Sequence, residues 1–188
     1  AAVTLGWQMT HLQPARGLDI PLKVWEQPHP QPAPPMADIW NTLQASPTVT
    51  TLDTRLSTNF FWFSLADPGR NTSASMLADF PSRHAMSLTC WDHRTGAELG
   101  SANRATTQGL LVPARAGFNL QPVAAMDWSN LLCRGAYRGP AKISAALWKS
   151  EDMAVAQDKY QQTGTLIEAA IGLLAVSMLI TAVVNRSA

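Results

Sequence analysis

The sequence predicts a mainly β protein, an antiparallel jelly-roll or β-sandwich ectodomain followed by a single transmembrane α-helix. Three observations carry this. Thirteen prolines and eleven glycines punctuate many short apolar runs, which favours strands and turns over a helical bundle. From Thr48 onward the apolar period is two. Near the C-terminal end, Thr165 to Val184 reads TLIEAAIGLLAVSMLITAVV, with one ionisable side chain and no proline. About 20 such residues cross a ~30 Å hydrocarbon core as a helix.

The expected organisation is an N-terminal extension over 1–47, a sandwich over 48–149, a juxtamembrane helix over 150–164 and the membrane helix over 165–185. In the extension, Val3-Thr4-Leu5-Gly6-Trp7 and Ile20-Pro21-Leu22-Lys23-Val24-Trp25 read as short edge strands, since Pro21 removes a ladder donor. The run from Pro28 to Pro35 has proline at five of its eight positions and reads as an extended connector. Ala37 to Gln44 reads as one or two helical turns with Ile39, Trp40 and Leu43 on one face.

In the sandwich, Thr48–Leu52 is β-branched, and Phe60–Leu65 is a dense aromatic strand, central to a core and ended by Asp67-Pro68-Gly69. Ser75–Phe80 and Ala85–Trp91 follow, the latter turning at Asp92-His93-Arg94-Thr95-Gly96. Gln108–Val112, Phe118–Leu120, Asn130–Tyr137 and Ala141–Trp148 complete the series, the last two separated by an Arg138-Gly139-Pro140 turn. At Ser150 the pattern becomes helical. Ser150 is placed to cap, Glu151 and Asp152 match the positive end of the helix dipole, and nothing but Gly164 weakens the run into the apolar stretch.

A net charge of +1 and 14% charged residues offer no basic face for nucleic acid, and no nucleic-acid partner is expected. Ala1-Ala2-Val3 are small residues of the kind signal peptidase leaves behind, so a removed secretory signal is expected. Cys90 and Cys133 each lie in a strand-like run. Either they pair, if those strands are neighbours in an oxidising compartment, or they are two buried free thiols.

Within the apolar stretch, Gly164, Glu168 and Gly172 form an i, i+4 stripe, continued nearby by Ser177 and Thr181. Two copies packed along that stripe is one reading, and Glu168 at headgroup level is the other. The bilayer is the expected partner, with a homo-oligomer or another membrane protein beside it. The expected location is the bacterial inner membrane, with the N-terminal domain periplasmic and Arg186 as the first cytoplasmic charge.

The order of elements resembles a known family. Phe61-Trp62-Phe63-Ser64-Leu65-Ala66-Asp67-Pro68 looks like the opening strand of the extracellular sensor domain, second type, of bacterial seven-transmembrane receptors with diverse intracellular signalling modules. Ser87 to Gly96 is similar to that family's central hairpin, and Leu131–Gly135 through Gly139-Pro140 and Ala145–Trp148 to its closing pair. Ser64 stands where the family usually has arginine, and Cys90 where it has an aliphatic residue. The resemblance covers about residues 45 to 185. It implies a periplasmic jelly-roll sensor for a carbohydrate-like or other small ligand, coupled to a cytoplasmic output such as a diguanylate cyclase or a histidine kinase beyond Ala188.

No catalytic cluster is legible. His11, His29, His84 and His93 share no metal-type spacing, no C-x-x-C occurs, and there is neither a G-x-S-x-G elbow nor a phosphate loop. Asp92 with Glu98, or Asp79 with Asp127, are the pairs that an acid–base glycosidase would need, set against ordinary solvated loop carboxylates. No enzymatic activity, metal or cofactor is expected in this segment.

Binding is easier to argue. Seven tryptophans exceed what one sandwich needs, and indoles stack on sugar faces as readily as they fill cores. Trp62 is read as core. Trp91 beside His93 and Arg94, and Tyr137 beside Arg134 and Arg138, are the candidates for a ligand pocket, with the arginines forking onto a carboxylate or sugar hydroxyls. The leading expectation is a sensory module. The alternative is an anchored assembly subunit of an envelope or secretion complex, with the proline-rich segment as a docking strap.

Overall fold

The structure is a computed structural model that describes residues 17–28, 31–55, 59–69, 75–114, 116–122 and 127–186, the side chains of 159–167, 179, 182–184 and 186 excepted. Expectations placed on Val3–Trp7, His11, His29 and Pro30 lie outside these residues. In chain order, β1 (Leu18–Ile20) and β2 (Leu22–Gln27) precede α1 (Met36–Ala45). Then come β3 (Thr48–Val49), β4 (Leu52–Asp53), β5 (Phe60–Leu65), β6 (Met76–Pro81), β7 (Ala85–Asp92), β8 (Glu98–Asn103) and β9 (Thr107–Gly109). After these follow β10 (Leu111–Ala114), β11 (Gly117–Leu120), a 3-10 turn at Trp128–Asn130, β12 (Leu131–Tyr137), β13 (Lys142–Ile143), β14 (Ala145–Lys149) and α2 (Ser150–Arg186).

Two units make up the chain, Gly17–Ser150 and a second to which α2 beyond Ser150 belongs. In the first, a large seven-stranded sheet has the order β3-β2-β5-β12-β7-β8-β9, and a small five-stranded sheet the order β1-β14-β6-β11-β10. β4 and β13 pair separately. Every pairing is antiparallel. Phe61, Phe63, Leu88 and Leu131 from the large sheet share one core with Ala78, Phe80, Phe118, Leu120 and Leu147 from the small one. One face of each sheet therefore supplies the same apolar interior.

The chain moves repeatedly between the sheets, and these crossings cut several expected strands in two. Ile20–Trp25 is not one edge strand. Ile20 pairs in the small sheet and Leu22 in the large one, with Pro21 between them, its carbonyl accepting from Ala66 N at 2.7 Å. Proline fits a residue whose N–H belongs to neither ladder. Thr48–Leu52, Gln108–Val112 and Ala141–Trp148 divide in the same way, into β3 and β4, β9 and β10, and β13 and β14.

A second, smaller core lies on the outer face of the large sheet, where Ile39 and Leu43 of α1 pack on Trp62 and Leu132, flanked by Trp25, Met36, Trp40 and Trp91. Phe60–Leu65 is thus buried on both faces, and Trp62 belongs to the outer core. Lys23 Nζ holds the end of α1 through Gln44 O at 3.0 Å and Gln44 Oε1 at 2.8 Å.

α2 runs without interruption from Ser150 to Arg186, as the lack of a strong helix breaker over that span predicts. Ser150 Oγ donates to Ser75 O at 2.7 Å. The reading of 165–185 as a transmembrane helix is corrected: among the described residues, no helix is long and apolar enough to cross a membrane.

Candidate functional site

The site is built by register across the large sheet. Trp25 of β2 stands opposite Trp62 of β5, which is opposite Arg134 of β12, then Thr89 of β7, Ser101 of β8 and Gln108 of β9. Because Phe61, Cys90 and Cys133 face the core, alternation turns this whole row outward. The neighbouring outward row, Lys23, Ser64, Leu132 and Trp91, lies under α1. The helix crosses it from His93, which stacks on Trp40, to Lys23, which bonds Gln44. α1 is therefore a wall along one side of the Arg134 row.

At the foot of this wall the aromatic residues are organised around Arg134. Its Cζ sits 3.7 Å above the Phe60 ring and 5.5 Å from that of Trp62. Trp91 stacks on Trp62 at 5.6 Å between centroids. The Trp62 indole N–H donates to Gln27 Oε1 at 2.7 Å, and Gln27 Nε2 donates to Gln31 O at 2.9 Å, so the indole is fixed. Arg134 itself is half-buried, its Nε is buried without a hydrogen-bond partner, and burial lowers its pKa. A stacked guanidinium without a carboxylate partner among the described residues is an available planar cation.

No protein-family model matches the chain, and no curated protein and no solved structure matches it. The resemblance to a sensor domain thus rests on its local motifs, and the chemistry on the geometry just given.

Of the candidates read from sequence, the fold gathers Trp91, His93 and Arg134 around α1. His93 stacks on Trp40 at 4.1 Å and 9°, with its Nδ1 buried and unbonded. Tyr137 is not in the site. It is buried in the main core, edge-on to Phe61 at 5.8 Å, and burial pushes its phenol well above the ordinary range. Three residues along a strand from Arg134, it faces the opposite way. Arg94 lies in the β7–β8 turn, where its N–H bonds Asp92 Oδ1 at 2.9 Å, and Arg138 lies beyond the other end of β12. Phe60, Trp40 and Thr89 were not singled out by sequence. The alternation within Phe60-Phe61-Trp62-Phe63 puts Phe60 and Trp62 on one face, but only the pairing with β12 shows that Arg134 shares it.

Cys90 and Cys133 form a disulfide between directly opposed residues of β7 and β12, with Cα atoms 4.1 Å apart, which decides between the two sequence readings. The proposed acid–base pairs are otherwise engaged. Asp92 receives Arg94 N and Thr95 Oγ1, one on each oxygen, and Asp127 accepts from Ser129 N at 2.9 Å, its pKa lowered by the Ser129 side chain first and by this backbone bond second. Asp79, on β6, is pushed up to about 6 by burial, and the Asn119 amide donates to its Oδ1 at 2.7 Å. No group of three or more potential metal ligands occurs among the described residues.

Along α2, a Cβ on Gly172 would meet open space, and Glu168 is exposed. Ser177 and Thr181 donate back to Leu174 O and Ser177 O, so their hydroxyls serve their own helix. The side-chain surroundings of Gly164 lie outside the described residues.

Proposed function

We propose that this chain is the ligand-sensing module of a bacterial signal-transduction protein, working in an oxidising compartment such as the periplasm. In this reading it recognises a sugar-like ligand on the outer face of the large sheet. The observation that carries it is Arg134, stacked on Phe60 at 3.7 Å with its Nε unbonded and polar side chains beside it. An aromatic platform next to a forked donor recognises a ring with a C–H face and oxygen substituents. A buried disulfide between strands suits an oxidising compartment. β14 passes into α2 at consecutive residues, Lys149 and Ser150, with no intervening linker. A displacement of the sheet would be carried along that helix to an output domain.

Intrinsic tryptophan fluorescence of the full chain, titrated with a panel of neutral and acidic oligosaccharides, tests the reading because Trp62 and Trp91 border the site. A saturable change with at least one saccharide is expected. It should be lost in Arg134→Ala, weakened in Arg134→Lys and kept in Arg94→Ala, with unfolding midpoints recorded for each variant. The reading fails if no saccharide gives a change, or if a folded Arg134→Ala protein binds like the parent.

A further inference from the structure

Four arginines stand on four separate connections: Arg55 between β4 and β5, Arg83 between β6 and β7, Arg104 between β8 and β9, and Arg138 between β12 and β13. Register brings three of these connections to one end of the large sheet, where Tyr137 pairs with Ala85 and Ser87 with Asn103. Hydrogen bonds then tie all four together. Arg104 Nη2 donates to Arg83 O at 2.7 Å. Arg138 N donates to His84 O, and His84 Nδ1 meets Arg138 O, both at 2.9 Å. A carbonyl only accepts, so Nδ1 carries the proton. Thr54 N donates to Ala141 O at 2.8 Å, and Thr54 Oγ1 donates to Gly139 O at 3.3 Å.

The arginines are exposed, and the segments 82–87, 103–110 and 136–141 contain no carboxylate. Asp53, close by in sequence, stands opposite Lys142 in the β4–β13 pair. The whole chain has a formal net charge of only +1, so the remainder is net negative. Much of that negative charge lies at the other end of the same strands, on Asp67, Asp92, Glu98 and Asp127. This concentration of arginines is a built rim, fixed by side-chain and backbone hydrogen bonds, with Arg104 itself donating to Arg83 O and Ala85 O.

We infer that this rim, together with the Arg134 row, binds a linear acidic polysaccharide, its carboxylates on the rim guanidiniums and its hydroxyls on the outward side chains of the sheet. The inference rests on the saccharide reading above and adds the charge and the path of the chain. Guanidinium forks match planar oxyanions, and exposed connections suit an extended polymer better than an enclosed small ion. Ser87 points outward between Arg134 and the rim, and Thr89, Ser101 and Gln108 continue the Arg134 row across the neighbouring strands. A polymer that repeats a carboxylate and hydroxyls in every unit uses both sets. A layer of anionic lipid headgroups would engage the rim alone.

The test titrates the full chain with oligogalacturonate, its methyl ester, and vesicles of phosphatidylglycerol and phosphatidylcholine, at low and high salt. Oligogalacturonate should bind, with affinity falling as salt rises, and the ester should bind far more weakly. Arg83→Gln/Arg138→Gln, whose side chains make no internal hydrogen bond among the described residues, should bind oligogalacturonate about tenfold more weakly, from two exposed charge pairs. Arg94→Gln, at the opposite end, should match the parent. Equal binding of acid and ester overturns the charge inference and leaves the saccharide reading standing. Vesicle binding without oligogalacturonate binding assigns the rim to lipid and overturns it. If no saccharide of either kind binds, both readings fall.

Discussion

Reducing the Cys90–Cys133 bond should cost about 4 kcal/mol of stability. The cysteines are 43 residues apart. In the chain-entropy treatment a closed loop of that length removes about 13 cal/mol/K from the unfolded ensemble, or about 4 kcal/mol at 298 K. With a urea dependence of about 2 kcal/mol/M, the midpoint should fall by about 2 M. Both sulfurs are fully buried in the main core, so dithiothreitol acts through opened molecules and the comparison must be made at equilibrium. Tryptophan fluorescence is the suitable probe, because Trp62 and Trp91 report the sheet unit and α2 contributes no tryptophan. Cys90→Ala/Cys133→Ala should fall further than the reduced parent, since it also empties the volume of two buried sulfurs. If fully reduced protein, with both thiols titrated in urea, unfolds at the oxidised midpoint, the loop-entropy reasoning is wrong for this fold. Because the bond joins the strands that carry Thr89 and Arg134, the reduced protein should also bind ligand more weakly.

Two further outcomes are expected. A Cβ added at Gly135 would lie 2.6 Å from Tyr137 Cε2, within a buried ring that cannot swing to solvent. Gly135→Ala should therefore cost about 1–3 kcal/mol by urea unfolding, and an unchanged midpoint would contradict this packing. Burial raises the Asp79 pKa from 3.8 to about 6, so between those values the folded protein holds more protons than the unfolded chain and stability falls as pH rises. Asp79→Asn should match the parent near pH 3.5 and exceed it above pH 6. Parallel stability–pH profiles for the two proteins would rule this out.

The parts of the fold legible in sequence are those where local pattern and tertiary contact agree. Phe60–Leu65 is apolar at almost every position, which predicts burial on both faces, and both faces are covered. Ile39 and Leu43 are four apart and both point into the outer core. β8 carries little β preference in Glu98-Leu99-Gly100-Ser101-Ala102-Asn103 and exists through its pairings with β7 and β9. The crossings between sheets were illegible for another reason. Ile20 and Leu22 are both buried in the same core from opposite sheets, so the apolar period continues through Pro21 without a break. Hydropathy read the C-terminal run correctly as helix, but its apolar character alone did not establish a membrane span.

The proposed binding face was half legible, and the reason lies in the size of α1. Arginine and tryptophan can be picked out by type, but which of them share a face depends on register, and Tyr137 was grouped with Arg134 through proximity in sequence alone. What sequence could not convey is how much of the sheet stays uncovered. α1 has ten residues, about 15 Å, which at ~4.8 Å between strands covers about three inter-strand spacings, from β7 to β2. It runs from His93 to Lys23 over the row containing Trp91, Leu132 and Ser64. The next row begins with tryptophans that the helix helps to bury and continues into Arg134, Thr89, Ser101 and Gln108, which are half-buried or exposed. A longer helix, or one inclined along the strands, would have closed that face. The aromatic residues lie where helix and open sheet meet, which is where the proposed ligand would gain an apolar wall and polar partners together.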